Sequence, residues 1–304
     1  MIKTEHLTKR YGALTAVDDV TFQVGPGEVL GFLGPNGAGK TTTMRMLAGF
    51  ITPTSGTGSI CGHDIGSDPL AAKAALGYLP EGAPTYGEMT VRAFLDFIAD
   101  LRALAGERRR ARLAHVIERL QLGPVLGQTI DTLSKGFRRR VGLAQAIVHD
   151  PPVLVLDEPT DGLDPNQKHE VRTLINDMAR DKITVISTHI LEEVERLSGI
   201  IQVIVGGRLA ASGDFRAIRR LMTNRPHVFL VSSSDDRALG SALIATLSVG
   251  AVELTPKGLQ VRASDYGTFT REVAGISRDH GIRLTQIIPA DESLESVFTY
   301  LLAS

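Results

Sequence analysis

Residues 1–24 alternate apolar and polar side chains, as in "TAVDDVTFQV", and predict short half-buried strands. "GEVLGFLGPNGAGKTTTMRMLAGF" then reads as an apolar strand, a Gly-rich turn and a helix from about Gly39 to Leu47. Between Thr90 and Leu122 the period lengthens. "VRAFLDFIADLRAL" and "ARLAHVIERLQL" repeat apolar residues every three or four positions, which predicts amphipathic helices. "PPVLVLDEP" and "ITVISTHI" are unbroken β-branched and Leu runs, the pattern of strands buried on both faces of a parallel sheet. "DPNQKHEVRTLINDMA" between them predicts a helix with Asp164 as its N-cap and Pro165 at its first position, and "LEEVERL" a further helix. Strands alternating with helices around a helical insertion imply an α/β fold.

This first unit is expected to close near Met222, with its helical part at about residues 85–150. "TNRPHVF" reads as a linker into a second unit, residues 226–304. There "HVFLVS", "GAVELTP", "GLQVRAS" and "IRLTQIIP" predict strands, and "RALGSALIATL" and "FTREVAGISRDHG" helices. The result is a small C-terminal α+β domain with no motif that carries chemistry, and no repeat is visible anywhere.

Composition changes this picture little. The 304 residues are 43% hydrophobic and 22% charged, ordinary globular values that leave ample core for one large and one small domain. A net charge of -1, 5% aromatic residues and no Trp give no reason to expect nucleic acid as a partner. Cys61 is alone, so neither a disulfide framework nor a Cys-based metal site is expected. The N-terminus is charged from its third residue, unlike a secretory leader, and the most apolar runs are too short to span a bilayer.

"GPNGAGKT", residues 34–41, fits G-x-x-x-x-G-K-[ST] between a strand and a helix. Gly34, Gly37 and Gly39 let backbone N–H groups curl around a phosphate, and the helix N-terminus behind them favours negative charge. Lys40 would reach the β- and γ-phosphates and the Thr41 hydroxyl would ligate Mg²⁺, with Asn36 and Thr42 in the same ATP-binding set. "VLVLDEP" presents Asp157 at a strand end toward Mg²⁺. Glu158 follows, where a carboxylate could take a proton from an attacking water. Such acidic pairs often merely cap a following helix, so this assignment leans on the phosphate loop.

"LSKGF" ahead of a helix resembles the signature motif of the ABC ATPase family. The order of phosphate loop, signature, acidic strand, "GLDP" and "STH" resembles that family over residues 1–222. The resemblance implies a P-loop, RecA-like parallel sheet with an N-terminal antiparallel β-subdomain and an inserted helical subdomain. It also implies a head-to-tail homodimer, or a pair of related subunits, that encloses two ATP molecules and Mg²⁺. Ser134 and Gly136 would then bind the γ-phosphate of ATP held by the partner, and His189 would be the switch histidine. Asp161, Gly162, Leu163 and Asp164 would be the D-loop across the dimer, and Tyr11 would stack on adenine. Lys135 and Phe137 depart from the commoner "LSGGQ", and Lys135 is expected in solvent. Glu81 stands where the family places a Gln beside the metal, so a carboxylate could approach Mg²⁺ there while adding charge beside Asp157 and Glu158. Glu at that point, and the tail "ESLESVFTYLL", resemble the branch serving drug, antibiotic, copper-maturation and gliding-motility exporters.

The resemblance therefore implies an ATP-hydrolysing subunit on the inner face of the cell membrane, driving a separate integral permease. The alternative is a soluble ABC ATPase without a permease, acting in assembly or on nucleic acid. The long coiled coils or second phosphate loop of such relatives are missing. The basic clusters "ERRRAR" and "FRRRVG" are expected to be solvated helix faces. His63, His115, His149, His169 and His280 match nothing and are expected to be structural.

Overall fold

The protein is described by a computed structural model that covers residues 1–82, 85–179, 181–214, 217–218 and 227–290. The predicted linker before His227 and the tail "ESLESVFTYLL" lie outside the described residues. The chain divides into two compact units, Met1–Phe215 and Arg216–Ser304.

In the first unit, β1 (Ile2–Tyr11), β2 (Leu14–Val24), β4 (Ser55–Ile60) and β5 (His63–Asp64) form an antiparallel sheet in the order β2-β1-β4-β5. The first two strands are ten and eleven residues long rather than short. Register shifts along β1, with positive φ at His6 and Asp19, break the alternation that a continuous strand would show. A second sheet has the order β10-β9-β3-β8-β7-β6. It comprises β3 (Val29–Leu33), β6 (Leu76–Leu79), β7 (Val153–Asp157), β8 (Ile183–Thr188), β9 (Ile200–Val205) and β10 (Arg208–Gly213). All pairings are parallel except that of β10 with β9. Every residue of β7 and β8 is buried, as their unbroken apolar runs require.

The helices α1 (Lys40–Leu47) and α2 (Pro69–Ala74) precede β6. Between β6 and β7 lie α3 (Val91–Leu101), α4 (Gly106–Arg119) and α5 (Lys135–Ile147). These three helices bury Phe94, Leu95, Val116 and Leu143 in one cluster with Leu154 and Leu156 of β7, so the insertion is anchored to the sheet that carries the acidic pair. Thr90 caps α3 by accepting from Ala93 N at 3.2 Å. The helix α6 (Pro165–Ala179) begins as expected, with Asp164 Oδ1 accepting from Asn166 N and Gln167 N, both at 3.0 Å. The helix α7 (Leu191–Leu197) follows β8.

His149, after α5, is structural. Its Nε2 lies 3.1 Å from Leu76 O, and burial, helped by Arg102, lowers its pKa to about 4. The unfolded chain binds that proton more readily, so folding stability should fall as pH drops from about 6.5 toward 4. Thermal unfolding of wild type and His149→Gln across this range should show a shallower slope in the variant, the difference reaching on the order of 3 kcal/mol.

The second unit has the chain order β11 (His227–Ser233), α8 (Asp236–Leu243), β12 (Val249–Thr255), β13 (Gly258–Ala263), α9 (Tyr266–Asp279) and β14 (Leu284–Pro289). Its antiparallel sheet has the order β12-β13-β11-β14, the ferredoxin-like βαββαβ arrangement. Phe229, Val231, Leu259 and Val261 from one sheet face pack with Leu239, Phe269 and Val273 of the helices.

Candidate functional site

The ends of β3, β7 and β8 converge at one edge of the six-stranded sheet, where open parallel sheets bind ligands. The phosphate loop leaves β3 and enters α1 at Lys40. Gly37 has φ 79° and Gly39 φ 104°, and a Cβ at Gly39 would stand 2.5 Å from Ala16 O. Only Gly serves at that last position. Lys40 is buried and spans the loop, its Nζ donating to Gly34 O at 2.8 Å and Pro35 O at 3.2 Å while lying 3.4 Å from Glu158 Oε1.

Asp157 is fully buried at the end of β7. Its Oδ1 accepts from Thr41 Oγ1 at 3.2 Å and from Ser187 Oγ of β8. Its Oδ2 is buried without a partner among the described residues. The Thr41 hydroxyl and a buried carboxyl group with one unsatisfied oxygen are hard donors that fit Mg²⁺, which takes one or two protein carboxylates and completes its shell from phosphates and water. Among the described residues no group of three or more His, Cys, Asp or Glu is placed so that it could hold a metal ion.

Glu158 follows in the left-handed region, φ 47°, unusual for a non-glycine residue. Its N–H donates to Ser187 O and to Ser187 Oγ, both at 3.1 Å, which fixes the turn. Strain held this way is typical of functional positions. The turn brings Glu158 Oε2 to 3.0 Å from His189 Nδ1 as Oε1 approaches Lys40. Burial raises the Glu158 pKa above the usual carboxylate value, and the Lys40 and His189 charges partly oppose this. A carboxylate so tuned is a better proton acceptor than an exposed one. His189 remains two-fifths exposed.

Asn36, Gly37, Gly39, Lys40, Thr41, Thr42, Glu81, Glu158, Asp161 and His189 line one cleft of about 280 Å³, joined by Ala16 of β2. Tyr11 is outside that set. It is exposed at the end of β1, with the Lys9 ammonium 5.1 Å from its ring centroid. Ser134 and Gly136 are also elsewhere in the chain, in a separate hollow of about 70 Å³ with Phe137, Gln167 and Glu170. Ser134 N-caps α5, accepting from Phe137 N at 3.3 Å, and a Cβ on Gly136 would lie 3.0 Å from Gln167 Cδ. Lys135 is exposed but points toward the turn at Gly162, its Nζ 3.7 Å from where a Gly162 Cβ would be. Gly162 and Leu163 line another cleft with Glu81, and Asp164 is engaged as the α6 cap.

The solvated reading of "FRRRVG" is corrected by the structure. Arg139 and Arg140 are buried, and only Arg138 is exposed. Arg140 bonds Gln121 Oε1 at 2.8 Å and Glu170, and Arg139 Nη2 donates to Asp161 O at 3.3 Å. In "ERRRAR", Arg112 donates to Ile147 O at 2.9 Å and Val148 O at 3.0 Å. Three successive helical residues are spread over roughly 200° of the helix surface, so they cannot all share one solvated face. Sequence reasoning also passed over Ser187, which positions both acidic residues. Its signal was a hydroxyl at the buried end of "ITVIST".

Residues 17–161 match the family model for ABC transporters. The probable multidrug ABC transporter ATP-binding protein YbhF of Escherichia coli is 37% identical over 214 residues, covering 70% of this chain and 37% of that protein. The chain thus spans little more than a third of that relative. The Nod factor export ATP-binding protein I of Ralstonia nicotianae is 38% identical over 303 residues, 99% of this chain and 93% of that protein. A solved ATP-binding subunit of an ABC transporter superposes with a TM-score of 0.66 at 31% identity, covering 72% of this chain and 92% of that one.

Proposed function

The chain belongs to the ABC transporter ATP-binding family, and on that premise we propose that it hydrolyses Mg·ATP as the energy-coupling subunit of an exporter. The convergence of Lys40, Thr41, Asp157, Glu158 and His189 at one sheet edge carries the reading. The loop amides and Lys40 bind the β- and γ-phosphates. Thr41 and Asp157 would hold Mg²⁺, which would neutralise phosphate charge, and Glu81 lines the same cleft as Thr41. Glu158 accepts the proton of the attacking water, and His189 holds that carboxylate and contacts the γ-phosphate.

Ser134 and Gly136 stand apart from their own phosphate loop, which supports a head-to-tail dimer in which each signature closes the partner's site. Closing and opening of this dimer would drive a separate membrane permease. Phe50, Leu101 and Tyr86 are 70%, 65% and 61% exposed around a hollow of about 690 Å³ beside α3 and the loop after β6. Exposed apolar patches of this kind mark contact surfaces, and this one suits an apolar cytosolic segment of a permease. No helix among the described residues is long and apolar enough to cross a membrane, so such a reading requires a partner for transport. Export follows the names of the relatives, and the place of action is the inner face of the cell membrane.

The experiment is purification of the tagged chain from its own cells in mild detergent with Mg·ATP, followed by mass spectrometry. A stoichiometric multi-span protein is expected. A clean soluble dimer, or a soluble assembly complex, would replace the transport reading with that of a non-transport ABC ATPase.

A further inference from the structure

The loop after β6 carries a carboxylate, Glu81, close to an edge already crowded with Asp157, Glu158 and Asp161. Lys40 is engaged with Glu158 and with two loop carbonyls. Glu81 itself is exposed, so water already solvates its charge, and any further compensation comes from a cation on the cleft it shares. Arg139, on α5, is 6% exposed. Its Nη2 donates to Asp161 O at 3.3 Å, whereas its Nη1 is buried without a partner among the described residues. Arg139 and Glu81 line the same cleft of about 270 Å³, with Lys135, Arg138 and the D-loop residues Asp161, Gly162 and Leu163 as its other walls. Lys135 and Arg138 are exposed, so water screens them more than it screens the buried guanidinium. An unsatisfied buried guanidinium donor is costly, and of the carboxylates on this cleft Asp161 and then Glu81 oppose the burial that disfavours the Arg139 charge.

We infer that Arg139 is a positioning residue that supplies the counter-charge for Glu81, tying the signature helix α5 to the loop after β6 and, through Asp161 O, to the D-loop. The inference rests on the ATPase reading above. A neutral amide at position 81 would ask nothing of a nearby cation, so the value of Arg139 depends on the charge of residue 81. A guanidinium serving only as a tether for Asp161 O would be indifferent to that charge.

A double-mutant cycle separates the two roles. Arg139→Gln should lower kcat for Mg·ATP about tenfold in the presence of Glu81, but less than about twofold in a Glu81→Gln background, a non-additivity that independent sites do not show. The same non-additivity should appear without Mg²⁺ or nucleotide. Arg139→Gln should lower the thermal midpoint by several degrees in wild type and by clearly less in the Glu81→Gln background. Equal losses in both backgrounds, in rate and in midpoint, would overturn the pairing. Should Arg139→Gln not fold, Arg139→Lys keeps the charge and loses the fork, and is expected within about threefold of wild-type turnover. A tenfold loss there would assign Arg139 to the Asp161 tether alone. A wild-type chain that fails to hydrolyse Mg·ATP would instead strike at the functional reading, while the nucleotide-free midpoints would still decide the pairing.

Discussion

Glu158→Gln is expected to lower steady-state ATP turnover by about 10²- to 10⁴-fold, the range over which a positioned general base acts, while ATP still binds. The substitution is nearly isosteric and leaves the phosphate loop, Thr41 and Asp157 in place. What it removes is the acceptor for the proton of the attacking water. Uncleaved ATP should then accumulate between subunits, so light scattering should detect a dimer that forms with Mg·ATP and disperses without it. Two side effects follow from the buried environment of Glu158. Because burial raises its pKa, wild-type turnover should decline on acidification at a pH above the ordinary carboxylate range, and the residual turnover of the variant should lack that limb. The sign for stability is also fixed. A carboxyl whose folded pKa is raised favours folding when protonated, and that contribution is lost as pH rises through the folded pKa. Above that pKa the ionised form is a cost that Lys40 and His189 only partly offset, so there the variant should unfold no earlier than wild type. Unchanged phosphate release would remove Glu158 as the base.

The parts of this site that were legible in the sequence are those with fixed local spacing. Lys40 and Thr41 follow from the glycine pattern of one loop, and the Asp157–Glu158 pair from the end of one apolar run. The helix that starts at "LSKGF" was legible for the same reason. The left-handed turn at Glu158 was not, because it depends on Ser187 arriving from a different strand to hold the Glu158 N–H. Nor was the burial of Arg139, which is decided by what packs over α5, although three adjacent helical arginines already warned that one must turn inward. In the second unit the same divide separates elements from topology. Alternation located β11 to β14, whereas the order β12-β13-β11-β14 depends on two crossovers and on strands far apart in the chain.

Ser134→Arg is expected to abolish ATP-dependent dimerisation and to lower turnover by about two to three powers of ten, the loss that follows removal of a donor aimed at transition-state charge. Within one chain this result would be puzzling. Ser134 lies in a hollow with Phe137, Gln167 and Glu170, apart from the cleft of Lys40 and Thr41, so an added side chain there obstructs nothing in its own phosphate loop. Binding of ATP by the isolated subunit should accordingly change little. The variant also loses the N-cap to Phe137 N, which costs about 1 kcal/mol and should lower the thermal midpoint by only a few degrees. The trans arrangement adds a consequence that no defect in folding can imitate. Lys40→Ala has a damaged phosphate loop with an intact signature, and Ser134→Arg the reverse. In a head-to-tail dimer each mixed pair regains one complete site, so mixing two inactive preparations should restore roughly a quarter of wild-type turnover if pairing is random and the sites act independently. Wild-type dimerisation and turnover by Ser134→Arg alone would mean that the signature serves no partner. Its distance from its own phosphate loop would then reflect only where α5 must begin.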